Sequence, residues 1–274
     1  MAKESMNGEG NLQSEVEARS SWSGRVFIGI GRALYIGGAS DTTPHLHHAI
    51  QICVALDGEI QLRPGPDTAW KRYGGAIIRS DQPHQLDGSG REVVIAYLEP
   101  ESEEGRRLGG ERAPIDAVAP AAVGAIRAAT AATLSGEVSP EAAVRLFREI
   151  LAQLSARPEQ RGHLEERIRR VLLAARADPS HRWKVSEMAE AARLSSRRFR
   201  EVFASQVGLG CRQYLLWIRL EAAIRELSRG ASLTEAALAA GFADAAHLTR
   251  TFRRMVGIPP SAIAESVTFI EKPV

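Results

Sequence analysis

The chain has 274 residues, is 44% hydrophobic and 25% charged, and carries a formal net charge of +2. That length and apolar content suit two globular domains and argue against a disordered or fibrous protein. Its two cysteines, Cys53 and Cys211, form no CxxC pair, so neither a disulfide framework nor a cysteine zinc site is implied, and a reducing cytoplasm is the expected location. The small net charge conceals an asymmetry. Residues 161–274 hold 19 Lys/Arg against 12 Asp/Glu, whereas residues 1–160 hold 16 against 21. A basic half joined to an acidic half fits a nucleic-acid partner for one half only.

Residues 1–20 are polar and read as a flexible arm, without the basic start and apolar run of a signal peptide. The longest nearly apolar run, 117–126, is too short to cross a bilayer, so no membrane partner is expected. Residues 21–110 contain short β-like runs (RVFIGIGRALYIG, AIQICVAL, EIQLR, TAWKRY, GAIIR, EVVIAYL) separated by Gly, Pro and Asp. Asp57-Gly58 between two of them predicts a hairpin, and the spacing predicts a small β-barrel or sandwich. The Gly29-Ile30-Gly31 pair lacks a following helix and is no nucleotide site.

Composition then shifts to Ala, Glu and Arg. Over 111–157 the pattern predicts a helical hairpin, with one helix over Ile115–Leu134 and a second starting at Ser139-Pro140-Glu141. Val144, Phe147, Leu151 and Leu154 make an apolar stripe on the second helix. The stripe suits packing on the β domain or a dimer seam, and both readings stay open. A linker is expected over 158–164, and a tail over 267–274.

Residues 165–266 read as nearly all helix and contain a repeat. Phe203-Ala204-Ser205-Gln206-Val207-Gly208-Leu209 and Phe252-Arg253-Arg254-Met255-Val256-Gly257-Ile258 share F-x-x-x-V-G-[LI], displaced by 49 residues. Ser195 and Asp244, both N-cap residue types, start the same helix in each copy, and a short Ala-rich helix precedes each cap. Ser232 with Glu235 spells a capping box. Such a unit needs a small-residue helix packed across a second helix, which buries one edge (Phe199, Val202, Phe203; Leu248, Thr251, Phe252) and frees the opposite face for a DNA groove.

AGFADAAHLTRTFRRMVGIPPSAI (240–263) resembles the signature of AraC/XylS-family transcription regulators, and VSEMAEAARLSSRRFREVF (185–203) resembles the family's first helix-turn-helix. The resemblance implies an all-α double helix-turn-helix, joined by a long helix over Cys211–Ser228, whose two recognition helices enter successive major grooves. It implies base readers at Arg197, Arg200 and Glu201 in the first helix, and at Ala245, Ala246, His247 and Arg250 in the second. Arg198, Arg253 and Arg254 are then phosphate contacts. The sequence departs from the family pattern at Arg193 (usually glycine), Lys184 (usually a hydroxyl cap) and Ala264 (usually arginine).

In the β-rich half, His45-Leu46-His47-His48-Ala49-Ile50-Gln51 and Asp81-Gln82-Pro83-His84 resemble the two cupin motifs, a fold that also serves this family as sensor. Imidazoles alternating along a strand point the same way, so His45 and His47 are placed to share one ion. The resemblance makes His45, His47, Gln51 and His84 candidates for an effector pocket or a divalent-metal site, with Trp70 and Tyr97 either adding to a pocket or filling the core. The expectation is therefore a cytoplasmic, homodimeric activator that binds double-stranded DNA and RNA polymerase, answers to a small-molecule or metal effector, catalyses nothing and requires no cofactor. The rival from another class is a metal-dependent cupin enzyme with an appended DNA-binding domain.

Overall fold

A computed structural model describes residues 22–108, 113–154, 164–264 and 267–271. The expected arm (1–20), and the linker up to residue 163, lie outside the described residues. Among the described residues the sheet has nine strands, eight from the N-terminal region and one from the C-terminal end: β1 (Ser23–Gly29), β2 (Arg32–Asp41), β3 (Ile50–Ala55), β4 (Ile60–Arg63), β5 (Lys71–Tyr73), β6 (Gly75–Ile78), β7 (Gln85–Leu98), β8 (Ile115–Ala117) and β9 (Val267–Glu271). A short helix α1 (Glu103–Leu108) follows β7, and α2 (Pro120–Leu134) and α3 (Pro140–Leu154) follow β8.

The sheet runs β8-β6-β3-β7-β2-β1-β9, with β4 pairing β7 and β5 pairing β4. Among the described residues this path has two free ends, so the expected closed barrel is instead an open, mostly antiparallel sheet. The expected Asp57-Gly58 hairpin also needs correction. Gly58 does turn the chain, at φ +62, but β3 and β4 do not pair with each other. The 14-residue β7 takes both: Val93–Leu98 pairs β3 and Gln85–Asp87 pairs β4. Between those stretches Ser89 and Gly90 adopt positive φ, and the register against β2 shifts between Ala39 and Asp41. A local sequence pattern cannot anticipate that one bulged strand serves two neighbours.

Two further boundaries differ. Ile115–Ala117 is strand, paired with β6, and the helix expected from residue 115 begins at Pro120, whose fixed φ suits the first helical turn. The expected tail contains β9, which lies parallel to β1 along Gly24–Ile28.

Period-2 alternation splits the sheet into two faces. Leu34 and Ile36 of β2, Ile50, Ile52 and Val54 of β3, and Val94, Ala96 and Leu98 of β7 face α2 and α3, meeting Val123, Ile126, Leu146, Phe147, Ile150 and Leu151. The apolar stripe of α3 is thus covered within the chain, with Phe147 and Leu151 buried and Val144 and Leu154 half-buried. Ser139 Oγ accepts from Ala142 N (3.2 Å) at the start of α3, as its sequence suggested. The opposite face, with Tyr35, Cys53, Val93 and Ile95, is continuous with Phe242, Leu248, Phe252 and Ile258 of the C-terminal region.

That region comprises α4 (Glu166–Ala177), α5 (Val185–Ala191), α6 (Ser196–Val207), α7 (Cys211–Ser228), α8 (Leu233–Ala239), α9 (Ala245–Val256) and α10 (Pro260–Ala264). The 18-residue α7 ties two cores together. Tyr214, Leu215 and Ile218 belong to the first, with Phe199 and Phe203, while Leu220, Ala222 and Ala223 belong to the second. Phe203 is wholly buried between Phe199 and Tyr214. Phe203→Ala should cost about 3–5 kcal/mol of stability through lost contacts and the void it leaves; urea unfolding reads this as a lower midpoint with an unchanged slope.

Candidate nucleic-acid interface and histidine cluster

The repeat read from the sequence forms two helix-turn-helix units. In the first, α5 and α6 meet at Arg193, which takes the left-handed φ of +55 where the family pattern has glycine. Ser195 Oγ accepts from Arg198 N to open α6, and Gly208 (φ +93) ends it. Lys184 supplies no hydroxyl, but the Glu187 carboxylate accepts its backbone N–H at 3.1 Å, half of a capping box. In the second unit, Ser232 and Glu235 form the full box that starts α8. Gly241 (φ +78) makes the turn so close to Ser180 that a Cβ would meet its Cα at 2.9 Å. Asp244 Oδ1 accepts from His247 N at 2.6 Å to open α9, and Gly257 (φ +81) closes it.

The buried edges are those expected: Phe199, Val202 and Phe203 in α6, and Leu248, Thr251 and Phe252 in α9. On the free face of α6, Arg200 is exposed and the Arg197 side chain is 90% exposed. Glu201, also exposed, pairs Arg197 at 3.2 Å and Arg198 at 3.4 Å, so it orders two arginines rather than standing apart. On α9, Ala246, Arg250, Arg253 and Arg254 are exposed. Ala245 and His247 are half-buried, and the His247 ring sits edge-on to Phe242 at 5.2 Å.

The four polar residues singled out in the β-rich half converge. His45 and His84 lie on facing backbone segments, each N–H donating to the other's carbonyl at 2.9 Å. His47 precedes β3, which carries Gln51. All four side chains are buried. His45 Nδ1 lies 2.9 Å from Thr43 O, His47 Nδ1 2.9 Å from Ala49 O, and His84 Nδ1 2.9 Å from Gln82 O. A carbonyl oxygen only accepts, so each Nδ1 carries the proton and each Nε2 keeps its lone pair. His47 Nε2 and His84 Nε2 then face the same Gln51 amide oxygen position, at 2.9 and 3.2 Å. Lone pairs cannot face a carbonyl oxygen unaided. Either the amide presents its NH2 to the rings or a cation stands among them. The ligand atoms of the three histidines lie within 4.8 Å of one another, a donor set that fits a small metal ion. Burial pushes His45 down to about 3 and holds His47 and His84 below the usual histidine range, so the rings are neutral at physiological pH.

His45, His47 and Gln51, with Arg32, Thr42 and Glu221, are the polar lining of a cavity of about 140 Å³ between the sheet and the C-terminal helices. Its apolar walls come from both regions: Trp22, Tyr35 and Tyr97 from one, Trp217, Phe252 and Met255 from the other. Tyr97 is thus a wall residue, whereas Trp70 carries the Arg63 guanidinium on its ring at 4.5 Å. The adjacent His48 is separate in character. Burial opposes its charge, but Glu101 and Asp81 outweigh burial and raise it to about 9, so it is a buried cation in a carboxylate pair.

Two contacts that the sequence did not reveal fasten the sheet region to the helices. Thr43 N donates to Gly257 O (2.8 Å) and Leu46 N to Arg254 O (3.4 Å), so the histidine-bearing loop satisfies carbonyls at the C-terminal end of α9. On the other side, Glu99 pairs with Arg176 and accepts from Trp217 Nε1 at 3.2 Å, while Arg176 also reaches Glu221 at 2.8 Å and the Tyr214 hydroxyl at 3.1 Å. The partners are distant in sequence and of ordinary residue types, so no local signal announced them. Glu99→Ala leaves a half-buried arginine with one carboxylate and an indole N–H without its acceptor. A loss of about 1.5–3 kcal/mol is expected, measured by chemical denaturation beside Glu221→Ala to separate the two pairs.

Residues 188–266 match the helix-turn-helix domain family. A putative AraC-like transcription regulator of Streptomyces lividans is 34% identical over 84 residues, 30% of this chain and 28% of that protein. An HTH-type transcriptional regulator of Mycobacterium tuberculosis is 41% identical over 87 residues, 31% of this chain and 32% of that protein. The match thus spans about a third of the length of these curated relatives. Among solved structures, apo ToxT from Vibrio cholerae superposes with a TM-score of 0.61 at 11% identity, over 87% of this chain and 98% of that one. ToxT with a bound unsaturated fatty acid gives 0.57 at 11% identity, over 86% and 96%. Residues 188–266 are thus a helix-turn-helix domain similar to those of AraC-like regulators, and the two-domain fold, an N-terminal antiparallel sheet followed by helical helix-turn-helix units, is that of ToxT.

Proposed function

We propose that this AraC-type domain makes the chain a sequence-specific transcription regulator whose sheet domain is an effector sensor. The observation that carries the reading is the duplicated unit itself: two capped recognition helices, each with its apolar edge buried and an arginine face free to solvent. Base reading is assigned to Arg197, Arg200 and Glu201 on α6, and to Ala245, Ala246, His247 and Arg250 on α9. The half-buried His247 has the least freedom of this set. Arg198, Arg253 and Arg254 hold the phosphates.

The effector is assigned to the cavity between the domains, with His45, His47, Gln51 and His84 in or behind its polar lining. An apolar cavity walled by both regions gives a ligand direct purchase on the DNA-binding half, and the ToxT neighbour is described with an unsaturated fatty acid bound. Homodimerisation through the outer surface of α2 and α3, activation by contact with RNA polymerase, and action in the cytoplasm complete the proposal. The relatives matched by sequence are named as transcription regulators, which favours this reading over an enzyme with an appended DNA-binding domain.

The test is selection of bound sites from a random DNA library, followed by mobility shifts on the selected site. Arg250→Ala should weaken specific binding by about 1–3 kcal/mol and relax preference at one position, leaving binding to random DNA nearly unchanged. Arg253→Ala should instead weaken binding to all sequences alike and reduce the salt dependence by about one unit of slope. No preferred site from the library would overturn the regulator reading.

A further inference from the structure

The histidine cluster is built more tightly than a general effector pocket requires. Three imidazoles have their protons directed to backbone carbonyls at 2.9 Å, which fixes both tautomer and ring orientation. This is the outer-shell arrangement that orients imidazole toward a metal. The remaining donor, Gln51, is neutral, and among the described residues no carboxylate joins the set. Three imidazoles and an amide oxygen suit zinc, iron, cobalt, nickel or copper rather than the oxygen-seeking magnesium or calcium. Because the Nε2 atoms bear lone pairs already, an ion enters without displacing protons.

The loop that carries His45 and His47 also binds the end of the second recognition helix. His45 stands between Thr43 and Leu46, whose N–H groups cap Gly257 O and Arg254 O, and a Cβ on Gly257 would lie 2.5 Å from His45 Nδ1. Thr43 Oγ1 adds a second bond to Gly257 O at 3.0 Å. The Thr43 carbonyl holds the His45 ring while the Thr43 amide holds α9. A change in the ring's freedom is therefore felt one peptide away by the helix that reads DNA.

We infer that His45, His47 and His84, with Gln51, bind one first-row divalent transition-metal ion, and that occupancy is transmitted to α9 through the 43–46 loop. The inference rests on the regulator reading and deepens it by giving the sensor domain a metal effector. The bound ion pins the loop, and the pinned loop keeps the C-terminal turn of α9 capped, so metal-loaded and metal-free protein present the second recognition helix with different rigidity.

The experiment uses the full chain without an affinity tag, stripped by chelator and titrated with Zn2+ and, for its visible spectrum, Co2+. The expected result is one equivalent bound, imidazole-type Co2+ bands, and slowed amide exchange by mass spectrometry in peptides covering 43–47 and 253–258. His47→Ala and, independently, His84→Gln should abolish the equivalent, with circular dichroism confirming that each variant folds. Thr43→Val, which removes the hydroxyl bond to Gly257 O and keeps the backbone carbonyl that holds the His45 ring, should keep the metal but reduce the added protection at 253–258. No stoichiometric binding by folded wild-type protein, or binding that leaves exchange at 253–258 unchanged, would overturn the inference. Metal binding with coupled protection, together with failure to select any DNA site, would support the metal site and count against the regulator reading alone.

Discussion

The arrangement of the whole molecule hangs on one small set of backbone hydrogen bonds. An α-helix ends with carbonyls that have no partner within it, and buried carbonyls must find one. At the end of α9 the partners come from the other domain, from Thr43 and Leu46. Gly257 makes this approach feasible because it lacks a Cβ where His45 and Thr42 press closest, and because it takes the positive φ that turns its carbonyl toward the loop. Were α9 to undock, three donors and two acceptors would lose partners at once, so the sheet domain and the second helix-turn-helix are held together.

The helices that flank the first helix-turn-helix, α4 and α7, are fastened differently. Their link is electrostatic, with Glu99 set against Arg176 and Trp217, and Arg176 shared with Glu221 and Tyr214. His48, charged between Asp81 and Glu101, lies edge-on to Tyr214 and Trp217 at the same seam. A buried ionic link contributes little net stability but is expensive to leave half-made. The two helix-turn-helix units are thus held by contacts of distinct kinds, and the apolar cavity lies between the sheet, α7 and α9, away from the exposed arginine faces of α6 and α9.

The C-terminal half was legible because its signals are local. Caps, positive-φ glycines and buried edges repeat after 49 residues, each fixed by neighbours three or four positions away. Even the departure at Arg193 kept its place, since the fold imposes the left-handed turn there and the arginine bears it. Convergence of His45, His47, Gln51 and His84 was also readable, because alternation along a strand and a second short motif were enough to group them. The sheet was less legible. Its strands were recognisable one by one, yet the partners were not. Asp57-Gly58 turned the chain without pairing the strands on either side, Ile115–Ala117 joined β6 rather than a helix, and β9 took a place beside β1.

What the sequence determined by itself was therefore the double helix-turn-helix, its exposed arginine faces and the identity of the histidine cluster. Helical periodicity, capping and residue chemistry act over a few positions and survive in a linear reading. Only the tertiary structure decided that the sheet stays open, that the stripe of α3 is covered within the chain, and that the histidine loop caps the C-terminal end of α9. Each of those joins residues dozens to hundreds of positions apart through backbone groups or ordinary apolar side chains. Such groups are the same in every sequence, and only the assembled fold selects their partners.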